Sequence, residues 1–545
     1  MRQLRCVTGA AWAGVLRRLA ALPAASLAVL LALCLGAAAH ADTQVRTSSF
    51  DYDARGLLVR EVIEPDRPND CLQTSYRYDA WGNKAAVSTR ACPGASGHTV
   101  ASAAARTATT DFGPDGRFPV TATNALAHSE TQTFDPRTGL PIRLVGPNGL
   151  ATTWTYDGLG RRTREQRADG TATTWAYLMC TAPGADCPHL PRLSPAWVVV
   201  EQSWGADARP NAPDKRQVHD KLGRVLRVQT TGFDGAGPAA VLVQDTEYDR
   251  LGRITRKSAL YALANRAGDT NPAWTSFAYD ALGRPVTQTS PDPDALGGQA
   301  RSTTAYSGLS TTVTNSKGQR KTSTKNAQGL LAQVTDEQGG TVRYRYDALG
   351  QLIETDAAGL VTRLRYDQRG RKVAMQDPAM GEWQYAYNAF GELVWQRDAL
   401  GQTSTQSYDV LGRLAQRSEP DLVSRWSYER RFDGVACGKS LGKLCEATAD
   451  NGYRRLHHYD SLGRPQSTAT VLDNPAQPAV ISVTYDEATG RIARQRWPTG
   501  LEARYEYTEG GFLRKVIGTP PQTQAPIGTA STTPPAAPVT YEVLA

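Results

Sequence analysis

From residue 341 onward, hydrophobic and polar positions alternate. Val342, Tyr344 and Tyr346 fall on one face of an extended segment, with Thr341, Arg343 and Arg345 on the other. Leu360, Thr362, Leu364 and Tyr366 repeat the pattern opposite Val361, Arg363 and Arg365, and Trp383, Tyr385 and Tyr387 repeat it again. A period of two, rich in β-branched and aromatic residues, predicts half-buried strands. No helical period follows residue 41. Between the alternating segments stands one turn signal, Asp or Asn with Gly three residues later. It recurs at Asp336, Asp347, Asp356, Asp367, Asp377, Asn388, Asp398 and Asp409, in steps of 9 to 11 residues. The Asp side chain accepts hydrogen bonds from the turn it has just made, and Gly takes a positive φ without steric cost. That is the sequence of a type I turn closing a hairpin with a glycine bulge. It leaves strands of about six or seven residues.

Every second turn carries more. Tyr-Asp-x-x-Gly-Arg spans Tyr156–Arg161, Tyr248–Arg253, Tyr279–Arg284, Tyr366–Arg371, Tyr408–Arg413 and Tyr459–Arg464. Variants sit at Tyr52, Tyr78, Phe134, His219, Tyr346, Tyr387, Tyr485 and Tyr507. Twelve of the 22 tyrosines occupy this slot, which explains their excess over 9 phenylalanines. Tyr346, Tyr366, Tyr387 and Tyr408 are 20, 21 and 21 residues apart, so one repeat is two turns and two strands. The structural turn pairs are Asp157 with Gly160, Asp249 with Gly252, Asp280 with Gly283, Asp347 with Gly350, Asp367 with Gly370, Asp409 with Gly412 and Asp460 with Gly463.

This pattern resembles the Rhs/YD-repeat family, over about Asp42 to Ile517, some 87% of the chain. The resemblance implies an all-β fold: stacked antiparallel β-hairpins forming a long sheet wound into a partial spiral shell. In relatives such a shell encloses a toxin or another polypeptide cargo. Arrays of this kind rest on neighbour contacts and need protected ends.

The beat breaks twice, near residues 178–217 and 431–456. Both intervals read as loops inserted in the sheet and pinned by a short disulfide. The cysteines outside the leader fall in local pairs, Cys71 with Cys92, Cys180 with Cys187 and Cys437 with Cys445. An even number in an exported chain favours disulfides, although six cysteines allow 15 connectivities. Residues 1–41 read as the export signal. Arg17 and Arg18 close a basic start, Leu19 to Ala39 is uncharged, and Ala39-His40-Ala41 offers small residues for cleavage before Asp42. An uncleaved anchor is the alternative, since 21 uncharged residues could span a bilayer. Residues 518–545 read as a Pro/Thr-rich linker and the start of a further strand, as if the repeat resumed where the sequence stops. The expectation is a truncated member without the C-terminal toxin of longer relatives.

Charge and chemistry change this picture little. The net charge is +8, and four of those positives belong to residues 1–41. The remainder gives no electrostatic case for nucleic-acid binding. The Tyr-Asp pair is not a repeated catalytic dyad, because adjacent strand residues point to opposite faces. Tyr offers buried area with a polar handle, Asp caps the turn, and Arg can stack on a neighbouring repeat's ring. The run from Gly434 to Ser440 approaches a phosphate loop but has Asp433 where the pattern needs Gly. Cys180, Cys187 and His189 lack a fourth zinc ligand nearby. His457 and His458 diverge on a strand. Asp135-Pro136 to Leu140 resembles the element that closes the core of long family members, but some 400 residues of chain follow it, so it reads as a turn variant. No catalytic, cofactor or metal site is expected.

The reading is therefore an exported, non-enzymatic scaffold, located in the periplasm, at the cell surface or outside the cell. Its partners would be a polypeptide cargo or a companion shell segment, with no nucleic acid and no membrane span once the leader is removed. The alternative is a cell-surface adhesin or carbohydrate-binding repeat module, since exposed Trp and Tyr can stack on sugars.

Overall fold

The computed structural model describes residues 45–94, 104–188, 190, 194–233, 240–263, 273–292, 294, 298–472, 477–519 and 539–542. Residues 1–44, on which the expected export signal falls, His189 and most of the Pro-rich segment lie outside them. The described residues form forty β-strands, β1 to β40, from Ser48–Tyr52 to Val539–Glu542, in one open antiparallel sheet with no helix. No helix among them is long and apolar enough to cross a membrane.

Each strand pairs with the next in the chain. One irregular step occurs at β15 (Val241–Tyr248), where β16 (Ile254–Ser258) pairs with its second half and β17 (Tyr261–Leu263) with its first. The ladder resumes when β18 (Trp274–Tyr279) pairs with β16.

The repeat motif sets the local geometry. The amide of Asp367 donates to the carbonyl of Arg371 at 2.9 Å, and that of Gly370 to the carbonyl of Asp367 at 3.0 Å. The strand register slips at the tyrosine, between Arg345 and Tyr346, Arg365 and Tyr366, and Ser407 and Tyr408. This is a three-residue turn with a glycine bulge. Gly160, Gly252, Gly283, Gly350, Gly370, Gly412 and Gly463 hold φ between 71° and 82°. Tyrosine turns therefore line one rim of the sheet, and the intervening Asp/Asn-Gly turns line the opposite rim.

The sheet winds on itself, as contacts between distant rims reveal. Asp70, between β2 (Leu58–Ile63) and β3 (Leu72–Tyr78), pairs at 2.5 Å with Arg371, between β26 (Leu360–Tyr366) and β27 (Lys372–Asp377). Asn148, between β8 (Pro141–Val145) and β9 (Ala151–Tyr156), bonds Leu441, between β32 (Val423–Tyr428) and β33 (Leu444–Ala449). Ala206, between β12 (Trp197–Trp204) and β13 (Lys215–His219), donates to the carbonyl of Ala488 at 2.6 Å, between β36 (Ala479–Tyr485) and β37 (Ile492–Arg496). In each case the offset is 24 strands in chain order, or 23 rungs of the ladder, because β16 and β17 share one rung on β15. The tyrosine rim of the second turn therefore rests on the opposite rim of the first. At a strand spacing of about 4.8 Å, 23 rungs close a ring about 110 Å around and about 35 Å across. Eight strands already make a barrel that side chains just fill, and sixteen to eighteen leave a channel.

Few side chains are fully buried. Among the described residues one buried apolar cluster stands out, Ala185, Val198 and Val218, with Leu178, Cys187 and Val200 packed against it. The interval 178–217 is thus not a single loop. β11 (Ala172–Met179) and β12 pair over eight residues, and the Cys180 connection folds over them. The interval 431–456 contains β33, so its irregular part ends at Lys443. Among the described residues there are three disulfides, Cys71–Cys92, Cys180–Cys187 and Cys437–Cys445, with Cα separations of 5.3, 5.4 and 5.8 Å. β39 (Leu513–Thr519) runs two residues beyond Ile517 and pairs with β40.

The turn geometry makes a direct prediction. Gly252→Val forces a β-branched residue to φ 82° and should cost about 1–2 kcal/mol. Arg250→Val, two residues earlier in the same turn, should cost much less. Denaturant midpoints of the two variants check this, and equal losses would reject the turn.

Candidate functional site

Among the described residues no group of His, Cys, Asp and Glu is placed to hold a metal ion, and the feature that recurs along the sheet is the repeat cassette. The side chain of Asp249 accepts three hydrogen bonds. Its Oδ1 takes the amides of Leu251 and Arg253 at 2.9 Å each, and its Oδ2 takes the Arg253 Nε at 2.7 Å. Asp157, Asp220, Asp280, Asp409 and Asp460 hold Arg161, Arg224, Arg284, Arg413 and Arg464 by the same Nε contact.

The fixed arginine reaches forward along the array. Arg224 lies over the ring of Tyr248 at 4.9 Å, Arg253 over Tyr279 at 4.7 Å, Arg413 over Tyr428 at 4.1 Å and Arg464 over Tyr485 at 4.1 Å. The tyrosine hydroxyl reaches back. It donates to the carbonyl of the first strand residue of the preceding hairpin: Tyr279 to Ile254 at 2.8 Å, Tyr346 to Leu331 at 2.8 Å, Tyr408 to Leu393 at 2.7 Å and Tyr459 to Leu444 at 2.8 Å. Each Tyr-Asp-Arg set thus couples its hairpin to both neighbours.

The environment follows from these contacts. The Arg253 and Arg284 amides, opposed by desolvation and helped by their guanidinium groups, hold the carboxyls of Asp249 and Asp280 below the ordinary 3.8. Burial pushes the hydroxyls of Tyr248, Tyr387, Tyr408 and Tyr459 up. At His219, which takes the tyrosine slot, the ring stacks on Trp197 at 4.0 Å.

The seam between turns is built from the same parts. Arg106, at the start of β5 (Arg106–Asp111), pairs with Glu392 at 2.8 Å and lies over the Phe390 ring at 3.8 Å. Arg371 donates to the Asn388 carbonyl at 2.7 Å as well as to Asp70. The Cys437–Cys445 loop fills the seam further along. Lys439 donates to the Asn148 carbonyl at 2.9 Å, and Arg413 holds Glu429 at the base of the loop. This is the stretch with phosphate-loop spacing. Its lysine is engaged, and a Cβ on Gly438 would stand 1.9 Å from the Tyr459 carbonyl oxygen. A cavity of about 440 Å³ lies beside it, lined by Asn148, Glu429, Lys439 and Leu441 among others.

The remaining candidates are dispersed. Cys180 and Cys187 are bonded to each other, and His189 lies outside the described residues. The half-buried His457 contacts Thr468 at 3.3 Å, while His458 is exposed on the other face. Asp135 to Leu140 closes a hairpin, with the Asp135 amide donating to the Leu140 carbonyl at 2.9 Å. A buried network that the sequence did not signal joins Arg227, Asp245 and Tyr261 at 2.6 and 2.7 Å, where the ladder divides at β15. Burial, with the Asp245 contact behind it, pushes the Tyr261 hydroxyl up to about 12.

The RHS Repeat signature matches residues 134–172, 326–359, 347–379 and 387–421. The chain carries RHS repeats. Among similar proteins, Double-stranded DNA deaminase toxin A of Burkholderia cenocepacia is 28% identical over 265 residues, 48% of this chain and 16% of that protein. Probable deoxyribonuclease RhsB of Dickeya dadantii is 28% identical over 164 residues, 28% of this chain and 11% of that one. This Rhs-repeat chain therefore aligns with about a sixth or less of the curated relatives it matches. In the Tc holotoxin pore structure of Photorhabdus luminescens, the same fold covers 88% of this chain and 32% of that one, with 13% identity and a TM-score of 0.67. The TcdB2-TccC3 complex without its hypervariable C-terminal region gives 0.52 over 87% of this chain and 34% of that one, at 13% identity.

Two predictions follow the geometry of this Rhs-repeat sheet. Arg106→Ala should lower stability by about 2 kcal/mol, because it strips a half-buried carboxylate of its partner. Arg161→Ala, on a rim that faces solvent, should cost under about 1 kcal/mol. Chemical denaturation of both variants compares them.

The second concerns acid. A carboxyl held below its ordinary value stabilises the fold fully above that value, and loses its contribution as pH falls through the depressed one. Thermal midpoints should stay level from neutrality to about pH 5 and fall steeply below about pH 4. A loss centred near pH 6 would assign the transition to histidines.

Proposed function

We propose that this chain is a segment of an exported, non-enzymatic shell wall that confines a polypeptide. The observation that carries this reading is the constant offset of 24 strands between contacting rims, because a ring of that width cannot be filled by its own side chains. The chemistry of the cassette supports it. Tyr, Asp and Arg are consumed in coupling one hairpin to the next, which is what a wall requires and a reaction centre does not. The alternation of burial supports an inward tyrosine face. Val342, Tyr344 and Tyr346 are half-buried with no second layer over them, while Arg343 and Arg345 are exposed. Curvature crowds side chains on the concave side, so the apolar face turns toward the lumen and the Arg/Glu face toward solvent. The relatives fit this reading. Two are toxins or nucleases much longer than this chain, and the structures of like fold are Tc toxin assemblies.

The test is a flexible glycine/serine-rich tail with one protease site, fused after Ala545. Confinement predicts cleavage about tenfold slower than for the same tail on an unrelated carrier. Equal rates would overturn the reading.

A further inference from the structure

The two turns of the sheet use the same motif on the tyrosine rim, but they face different things. In the second turn the rim is covered. Phe390, Leu411 and Leu462, at the third position of their turns, are half-buried against the first turn or beside it. Arg371 is only 13% exposed there. In the first turn the same positions stand in solvent. Leu159 is 80% exposed, and Leu251 and Leu282 are 78% exposed each. Arg284, the counterpart of Arg371, is 44% exposed. A leucine repeated at one position along one rim, and bare each time, is an apolar row that a monomer rarely leaves uncovered.

What covers that row inside the chain is the opposite rim, with its Asp/Asn-Gly turns. The chain carries a free stretch of this rim as well. In the second turn it presents Met380, between β27 and β28 (Gly381–Tyr387), and Leu400, between β29 (Leu393–Arg397) and β30 (Thr403–Tyr408). Leu400 is 83% exposed. The docked seam offsets its partners by 24 strands, so each free rim runs for about one full turn, and the two circumferences match.

We propose that the free tyrosine rim of the first turn is a docking surface for the opposite rim of the second turn of another copy of this chain. The contact continues the seam already present within the chain. Leucines from one rim pack on the turns of the other, and arginines fixed by turn aspartates meet the carboxylates and carbonyls of those turns, as Arg371 meets Asp70. The two surfaces differ, so the contact is heterologous and one copy leaves both rims of the stack open to the next. The stack grows along the winding axis and lengthens the wall without changing its width.

Sedimentation velocity on the purified 545-residue protein tests this with two rim variants. The wild-type protein should form species that grow with concentration beyond the dimer. Leu251→Asp with Leu282→Asp blocks one rim, and Met380→Asp with Leu400→Asp blocks the other. Each double variant alone should be monomeric. An equimolar mixture should give a dimer that grows no further, because each partner brings the one rim the other lacks. That complementation also shows that both variants are folded, and serine at the same positions replaces aspartate where far-ultraviolet dichroism reports a lost fold. A wild-type protein that stays monomeric at every concentration overturns the proposal. Growth that neither double variant affects assigns association to the strand edges of β1 or β40, or to another surface, and overturns it too. Monomeric variants that fail to complement one another do the same.

Discussion

A sheet one layer thick has nothing to pack against, and the rest of this molecule answers that constraint. Domains ordinarily bury the apolar face of one layer beneath another. Here the second layer is missing along most of forty strands. Stability has to come from within the sheet, from each hairpin to the next. The Tyr-Asp-x-x-Gly-Arg cassette supplies it with a short chain of contacts. The aspartate folds the turn and fixes the arginine, the arginine covers the next tyrosine ring, and that tyrosine closes back on the carbonyl of the hairpin before it. The arginine depends on its aspartate for position, so the coupling is cooperative within each repeat and additive between repeats, as in other quasi-one-dimensional arrays.

Winding solves the problem the cassette leaves. Rim turns expose backbone carbonyls and apolar turn residues, and the second turn covers those of the first over strands 24 apart. The seam adds contacts the cassette lacks: Arg106 with Glu392 and Phe390, Arg371 with Asp70, and the disulfide-held loop that seats Lys439 and Leu441 on Asn148. Local repetition sets the strand, while the seam sets the diameter. A ring about 35 Å across leaves room inside for something other than its own side chains.

The part legible in the sequence is the part encoded locally. Alternation at residues 341–346 and the Asp-Gly spacing defined strands and turns, because both depend on residues within one hairpin. The stacking of arginine on a neighbouring ring was legible for the same reason. The seam was not, since Arg106 and Glu392 are separated by 286 residues and nothing near either marks the pairing. The strand Trp197–Trp204 was masked by the Pro- and Cys-rich connection before it, and the network of Arg227, Asp245 and Tyr261 by the absence of any motif. The leucine at the third turn position was visible throughout. Only the winding separates Leu251, bare on a free rim, from Leu411, covered in the seam.

The winding is tested most directly by fluorescence energy transfer between dyes on Arg209→Cys and Glu487→Cys, two exposed positions flanking the contact of Ala206 with Ala488. Winding at 23 rungs per turn places the two dyes next to each other, and transfer should be nearly complete. A flat ribbon of the same hairpins would hold them about 110 Å apart. Absence of transfer in a folded chain would contradict the wound wall.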